Sequence, residues 1–181
     1  RGHNFCLSSV NTTVHLGAHV DAPNHYHPGG EGIETRSLNY YLGDCQVLTV
    51  TPSQRGPTDP KEPRRIYPSD LEGQKIISKR VLLKTGSFPN PNQWNSNFRS
   101  LSASLVNSLA DQGVILIGID TPSVDLFEDT LLESHQAIFA RNLAVLEGIV
   151  LSEVPDGQYT LIALPLKLKN ADASPVRAVL V

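Results

Sequence analysis

Val14-His15-Leu16-Gly17-Ala18-His19-Val20-Asp21-Ala22-Pro23-Asn24-His25 is the stretch on which the reading of this chain turns. It holds three of the six histidines in the sequence, together with an aspartate. Histidines four apart could share a helix face, as in H-E-x-x-H metalloproteases. Val14, Gly17, Val20 and Pro23 are poor helix formers, however, and no Glu follows His15. The stretch therefore reads as a strand. His15, Gly17, His19 and Asp21 would project from one face, and Val14, Leu16, Ala18 and Val20 from the other. Gly17 would leave an opening between the two imidazoles, with room for an ion. Pro23 ends the ladder because it has no amide hydrogen to donate, and the turn lets His25 look back at the site.

Two imidazoles and a carboxylate suit Zn²⁺ and are acceptable to Mn²⁺ or Fe²⁺. The alternative is a polar strand face turned to water. Three histidines with a co-facial aspartate favour the metal site.

Outside this stretch the chain is that of an ordinary globular protein. Its 181 residues are 40% hydrophobic and 18% charged, enough for one domain with a full core. A net charge of −3 without blocks of like charge gives no footprint for nucleic acid or an anionic membrane. No apolar run is long enough to span a bilayer and no signal peptide is visible. Cys6 and Cys45 lack metal-ligand spacing or a disulfide framework, so they read as packed thiols in a reducing compartment, and the expected location is the cytoplasm. The sequence contains no Met and opens at Arg1 on a strand-like segment, so an N-terminal piece is expected to precede it.

Taken in order, residues 4–21 read as extended structure, and Tyr26 to Gly32 as a loop whose glycines form no phosphate-binding pattern. In that loop His27 reads as a surface residue rather than a neighbour of the metals. Leu38 to Leu42 reads as a short helical turn and Cys45 to Val50 as a strand. Thr51 to Pro68 reads as a long surface loop, Ser69 with Glu72 as a capped turn, and Arg80 to Thr85 as a strand. Phe88, Trp94 and Phe98 lie in a polar segment, where Trp94 serves packing or walls an aromatic substrate. Ser102 to Gln112 reads as a helix stopped by Gly113. Val114 to Asp120 is apolar on both faces, a central buried strand, with Asp120 structural rather than a ligand. His135 to Leu143 reads as a short helix, and Tyr159 to Leu166 and Ala178 to Val181 as strands. Alternating strands and helices argue for an α/β fold, a mixed β-sheet core with flanking helices. Glu147 interrupts the apolar run Ala144 to Leu151. A carboxylate there needs a partner, and the residues alone leave open a metal or a salt bridge to Arg141 or Arg177.

The string His15-x-Gly17-Ala18-His19-x-Asp21-Ala22-Pro23-x-His25 resembles the signature of the cyclase-like metal-dependent hydrolases, a family that includes bacterial kynurenine formamidase (arylformamidase) and isatin hydrolase. Leu116 to Ser123, Leu146 to Leu151, Leu161 to Leu168 and Asp172 to Leu180 resemble the formamidase branch more narrowly. The resemblance implies the swivelling β/β/α fold of that family across a single domain, residues 1–181. It also implies a two-metal centre, with Zn²⁺ expected and Mn²⁺ the alternative. His15, His19 and Asp21 would hold one ion; Asp21 would bridge to a second ion completed by His135 and Glu147, and His25 would act as acid/base. The family begins with a further N-terminal segment carrying a Trp that walls the substrate's ring, and this chain starts after it. A homodimer is expected on the same ground.

The implied reaction is hydrolysis of the aryl formamide N-formyl-L-kynurenine to L-kynurenine and formate, in tryptophan breakdown. Water activated by the metals would attack the formyl carbonyl, and His25 would return a proton to the departing aniline nitrogen, a task suited to an imidazole. A nucleophilic Ser in G-x-S-x-G is not visible, since Thr85-Gly86-Ser87-Phe88 lacks the second glycine. The rivals are isatin or another cyclic or aryl amide on the same centre, and a non-catalytic relative in which ions only brace the fold.

Overall fold

The computed structural model describes residues 4–50 and 64–181. Its frame is an eight-stranded mixed sheet. In chain order the strands of the frame are β1 (His19–Asp21), β2 (Leu42–Thr49), β4 (Arg80–Lys84), β6 (Leu116–Ile119), β7 (Ala144–Glu147), β8 (Gly157–Ile162), β9 (Ala173–Pro175) and β10 (Val179–Leu180). Two short strands, β3 (Arg65–Ile66) and β5 (Ser100–Leu101), pair separately and in parallel. The spatial order across the large sheet is β10-β8-β2-β4-β6-β7-β1-β9. β2, β4, β6 and β7 run parallel in its middle, and the flanking pairs are antiparallel. The helices are α1 (Pro23–Tyr26), α2 (Ala103–Asp111) and α3 (Glu133–Ala140).

The middle strands are apolar throughout because both of their faces are covered. Val81, Leu83, Ile117, Ile119 and Val145 point to one side, where they pack with Leu105, Val106 and Leu109 of α2 and Ala137 and Ile138 of α3. Leu82, Leu116 and Leu146 point to the other, towards Cys45, Val47, Ile149 and Leu161. Successive side chains alternating between two cores is the pleat expressed as packing. Burying each such Leu or Ile stabilises the fold by about 1.5–3 kcal/mol. α2 begins where expected: the amide of Leu105 donates to Ser102 Oγ at 3.1 Å, a cap worth about 1 kcal/mol.

Several expectations need correction. Residues 4–18 form no regular strand; only His19–Asp21 pairs in the sheet, so the alternation of His15 with His19 is not a strand alternation. Gly17 does not leave a seat on a strand face. It turns the chain at φ +60°, a conformation that favours glycine. The loop from Thr51 lies outside the described residues as far as Pro63, and beyond it Arg65–Ile66 is a strand. The short helical turn Pro68–Leu71 starts at Tyr67, whose amide donates to the Asp70 carboxylate at 2.9 Å, so the capping carboxylate is Asp70 and not Glu72. Cys45 is buried as expected, but Cys6 is exposed; both are free thiols. His27 is half-buried and stacks on Phe139 at 3.8 Å. Among the described residues no helix is long and apolar enough to cross a membrane.

Candidate metal centre

Five elements, β1, β7, β9, α1 and α3, converge at one edge of the parallel strands. β1 pairs with β7 so that His19 faces Glu147 and Val20 faces Leu146. On its other side β1 pairs with β9, which places Asp172 just before that pairing begins. α1 is a single turn started by Pro23, whose fixed φ suits the first helical position; it lifts His25 back over the motif. α3 supplies His135 from its first turn. A close approach of backbones completes the join. Gly148, at φ +66°, lies so near Gly17 that a Cβ on it would meet the Gly17 carbonyl oxygen at 2.3 Å.

Asp21 is the hub, with its side chain fully buried. His15 Nδ1 lies 3.2 Å and His19 Nε2 3.5 Å from its Oδ1, and His135 Nε2 lies 3.4 Å from its Oδ2. Glu147, also buried, has Oε2 3.2 Å from His19 Nε2 and Oε1 3.5 Å from His135 Nε2. Arg141 pairs with Asp111 instead, so the salt-bridge alternative to Arg141 fails. All six residues singled out from the sequence therefore meet here. His25 stands at the rim, its ring 4.1 Å from that of His15 and 6.0 Å from that of His135.

These contacts are close without being hydrogen bonds. Both oxygens of Asp21 and Nε2 of His135 are buried and lack a hydrogen-bond partner. Leaving a buried carboxylate unsatisfied costs several kcal/mol, and a cation among the ring nitrogens is what would satisfy it. The potential ligand atoms of His15, His19 and Asp21 all lie within 4.8 Å of one another, as do those of Asp21, His25 and His135. Imidazole nitrogen with carboxylate oxygen is the donor set of Zn²⁺ and Mn²⁺ sites. The residues fit a divalent metal.

Two carboxylates that the sequence did not single out support the cluster. Asp125 is buried and takes His135 Nδ1 at 2.8 Å, while the amides of Ser134 and His135 donate to it at 2.9 and 3.0 Å. Arg65 balances its charge at 3.1 Å. Asp172 lies 3.1 Å from His15 Nε2 and 3.5 Å from His25 Nδ1. Both follow the usual way in which a ligating histidine is held by the partner of its other nitrogen. The sequence did not mark either as a partner of these histidines: Asp125 reaches His135 from ten residues upstream across an irregular segment, and Asp172 reaches His15 from 157 residues downstream. His19 is oriented more locally, through Nδ1 on the Gly17 carbonyl at 2.8 Å.

The electrostatics follow from this arrangement. Burial opposes a charge on each imidazole, but the surrounding carboxylates outweigh it. His15, between Asp21 and Asp172, is pushed up to about 9. His135, held by Asp125 and Asp21, is pushed up to about 10. His19 is raised beside Glu147. Burial alone would raise Asp21, yet His135 and His15 hold it well below the usual carboxylate range, and His135 does the same for Asp125. The cluster is a cage that retains positive charge.

Residues 3–126 match the family model described as "Putative cyclase", and the chain belongs to this cyclase family. It is 40% identical over 176 residues to the kynurenine formamidase of Maricaulis maris (strain MCS10), covering 96% of this chain and 79% of that protein. It is 42% identical over 174 residues to the kynurenine formamidase of Paracidovorax citrulli (strain AAC00-1), with the same coverage. Among solved structures it resembles a "potential metal-dependent hydrolase with cyclase activity" at TM-score 0.81 and 30% identity, covering 94% of this chain and 80% of the other. The isatin hydrolase of Labrenzia aggregata, at TM-score 0.73 and 18% identity over 94% of this chain and 74% of its own, shares the fold.

Proposed function

We propose that this protein is a metal-dependent amidohydrolase that converts N-formyl-L-kynurenine and water to L-kynurenine and formate. One observation carries the metal chemistry: a fully buried aspartate with neither oxygen hydrogen-bonded, ringed by three imidazoles. The choice of substrate is supported by the 40% and 42% identity to two kynurenine formamidases.

In this reading His15, His19 and Asp21 would hold one divalent ion, and Asp21, His135 and Glu147 would hold a second. Such ions supply Lewis acidity, drawing electron density from water and from a substrate carbonyl. The chain's own residues do the rest. Asp125 fixes the ring of His135, and the Gly17 carbonyl fixes that of His19. Asp172 faces His25 Nδ1, so His25 moves its proton at Nε2. Water's oxygen bonds to the formyl carbon as one of its O–H bonds breaks and its proton passes to His25. The C–N bond then breaks, the aniline nitrogen taking that proton back from His25, and formic acid loses its proton to solvent as formate. Zn²⁺ as the ion, with Mn²⁺ as the alternative, a homodimeric state and a cytoplasmic location belong to the same proposal.

The test is turnover of N-formylkynurenine by purified protein, with isatin in parallel and bound metal counted in the same sample. Cleavage abolished by a chelator and restored by Zn²⁺ or Mn²⁺ is the expected result. Cleavage of isatin alone would replace the substrate, and two bound ions with no cleavage of either would remove the formamidase reading.

A further inference from the structure

A cavity of about 460 Å³ opens beside the cluster, within the range that holds small-molecule ligands. His15 and His19 line one part of it, and Lys84, Phe88, Trp94 and Val150 line others. Trp94 is 60% exposed, yet its ring is fixed edge-on by Phe88 and Phe98 at 6.2 Å and Phe127 at 5.5 Å. Phe98 is buried and anchors the group. An indole held in place with its surface bare is poised to take an aromatic ring.

Lys84 ends β4, and its Nζ donates to the Val154 carbonyl at 2.7 Å. That leaves further N–H groups on the ammonium, and among the described residues no carboxylate pairs with it. Asp120, the carboxylate in the same cavity wall, is already engaged by the Thr85 hydroxyl and the Thr85 and Gly86 amides. The cavity thus presents imidazoles, an aromatic wall and a cation that no carboxylate pairs with among the described residues.

We propose that Phe88, Trp94 and Lys84 form the specificity subsite of the enzyme. The aryl ring lies against Trp94 and Phe88, and the carboxylate of the substrate's amino-acid chain pairs with Lys84 Nζ. The subsite selects aryl formamides that bear an anionic side chain over those that do not. This rests on the formamidase reading for the identity of the substrate, but not for the existence of the subsite.

Trp94 is the only tryptophan in the chain, so its fluorescence reports occupancy without turnover. The experiment titrates the metal-loaded protein with L-kynurenine and with 2-aminoacetophenone, which keeps the ring and ketone but lacks the carboxylate. It then compares kcat/KM for N-formylkynurenine and 2′-formamidoacetophenone. Both ring compounds are expected to perturb Trp94, with kynurenine binding more tightly. K84Q should shrink that preference, in binding and in kcat/KM, by about tenfold or more, the worth of a charged hydrogen bond, while K84R keeps most of it. Kynurenine without effect on Trp94, or K84Q weakening both compounds equally, would overturn the subsite. Cleavage of neither formamide by the unaltered protein would instead overturn the formamidase reading, and a kynurenine titration reversed by K84Q would stand beside that failure.

Discussion

Glu147 and His19 are partners across the antiparallel junction of β1 and β7, and their side chains meet with Nε2 3.2 Å from Oε2. β7 is the last parallel strand of the sheet, and β1 turns against it and ends in Asp21. The carboxyl end of one strand and the motif strand thereby deliver two carboxylates and an imidazole to one point. If Glu147 completes a second ion, Glu147→Gln lowers bound metal from about two ions per chain to about one, while Asp21→Asn releases both. Metal analysis of dialysed protein measures this, and two ions retained in Asp21→Asn would rule out the bridging role.

His25 lies at the rim, near His15 and Asp172 rather than in the buried hub. As the proton carrier it is dispensable for binding ions. His25→Ala is expected to keep its metal and lose about 10²–10⁴-fold in turnover. Loss of metal alongside activity would make His25 a ligand instead, which its nearness to Asp21 and His135 permits geometrically.

Asp125 touches His135 and no proposed ion. Asp125→Asn should weaken metal affinity by about 10–100-fold, read by competition with a chromogenic chelator. Unchanged affinity would mean that the packing of α3 alone orients His135.

Gly148 and Gly17 are in backbone contact. In Gly148→Ala the new methyl would strike the Gly17 carbonyl in a φ region that L residues rarely adopt. A cost of about 2 kcal/mol is expected, a fall in Tm of roughly 4–8 °C, together with weaker metal binding because the motif loop is pushed from Glu147. A variant as stable as the parent would show that the loop moves freely.

The metal-free protein should be pH-sensitive in a definite direction. His15 and His135 hold protons more tightly when folded, up to about 9 and about 10 against an ordinary 6.5. Their contribution is complete below about pH 6.5 and disappears as pH rises through those values. Asp21 and Asp125, lowered on folding, act the other way: their contribution is present above about pH 4 and lost on acidification. Melting of chelator-treated protein is expected to fall between about pH 7 and 10, with the metal-loaded protein falling far less because ions replace those protons. Parallel curves for the two forms would contradict this.

Hydrophobic pattern alone was enough to locate the sheet's middle and α2, because strands buried on both faces and a helix with one apolar face write their surroundings into the sequence. The clustering of His15, His19, Asp21 and His25 was equally legible, since residue type and short spacing carry it. Its geometry was not. The order read as a strand face is a glycine turn followed by three strand residues, and that turn lies against Gly148, 131 positions away. Glu147 could be seen to need a partner, but only the tertiary structure, which pairs Arg141 with Asp111 and sets His19 opposite Glu147, excluded Arg141. Asp125 was not singled out, and Asp172 stood in a family-like segment without any sign that it meets His15 and His25. The same holds for the joining of Lys84 and Trp94 to the metal-site cavity. A side chain's type is fixed locally, whereas its partner is fixed by which strands pair and which backbones touch. Those are decided over the whole chain at once.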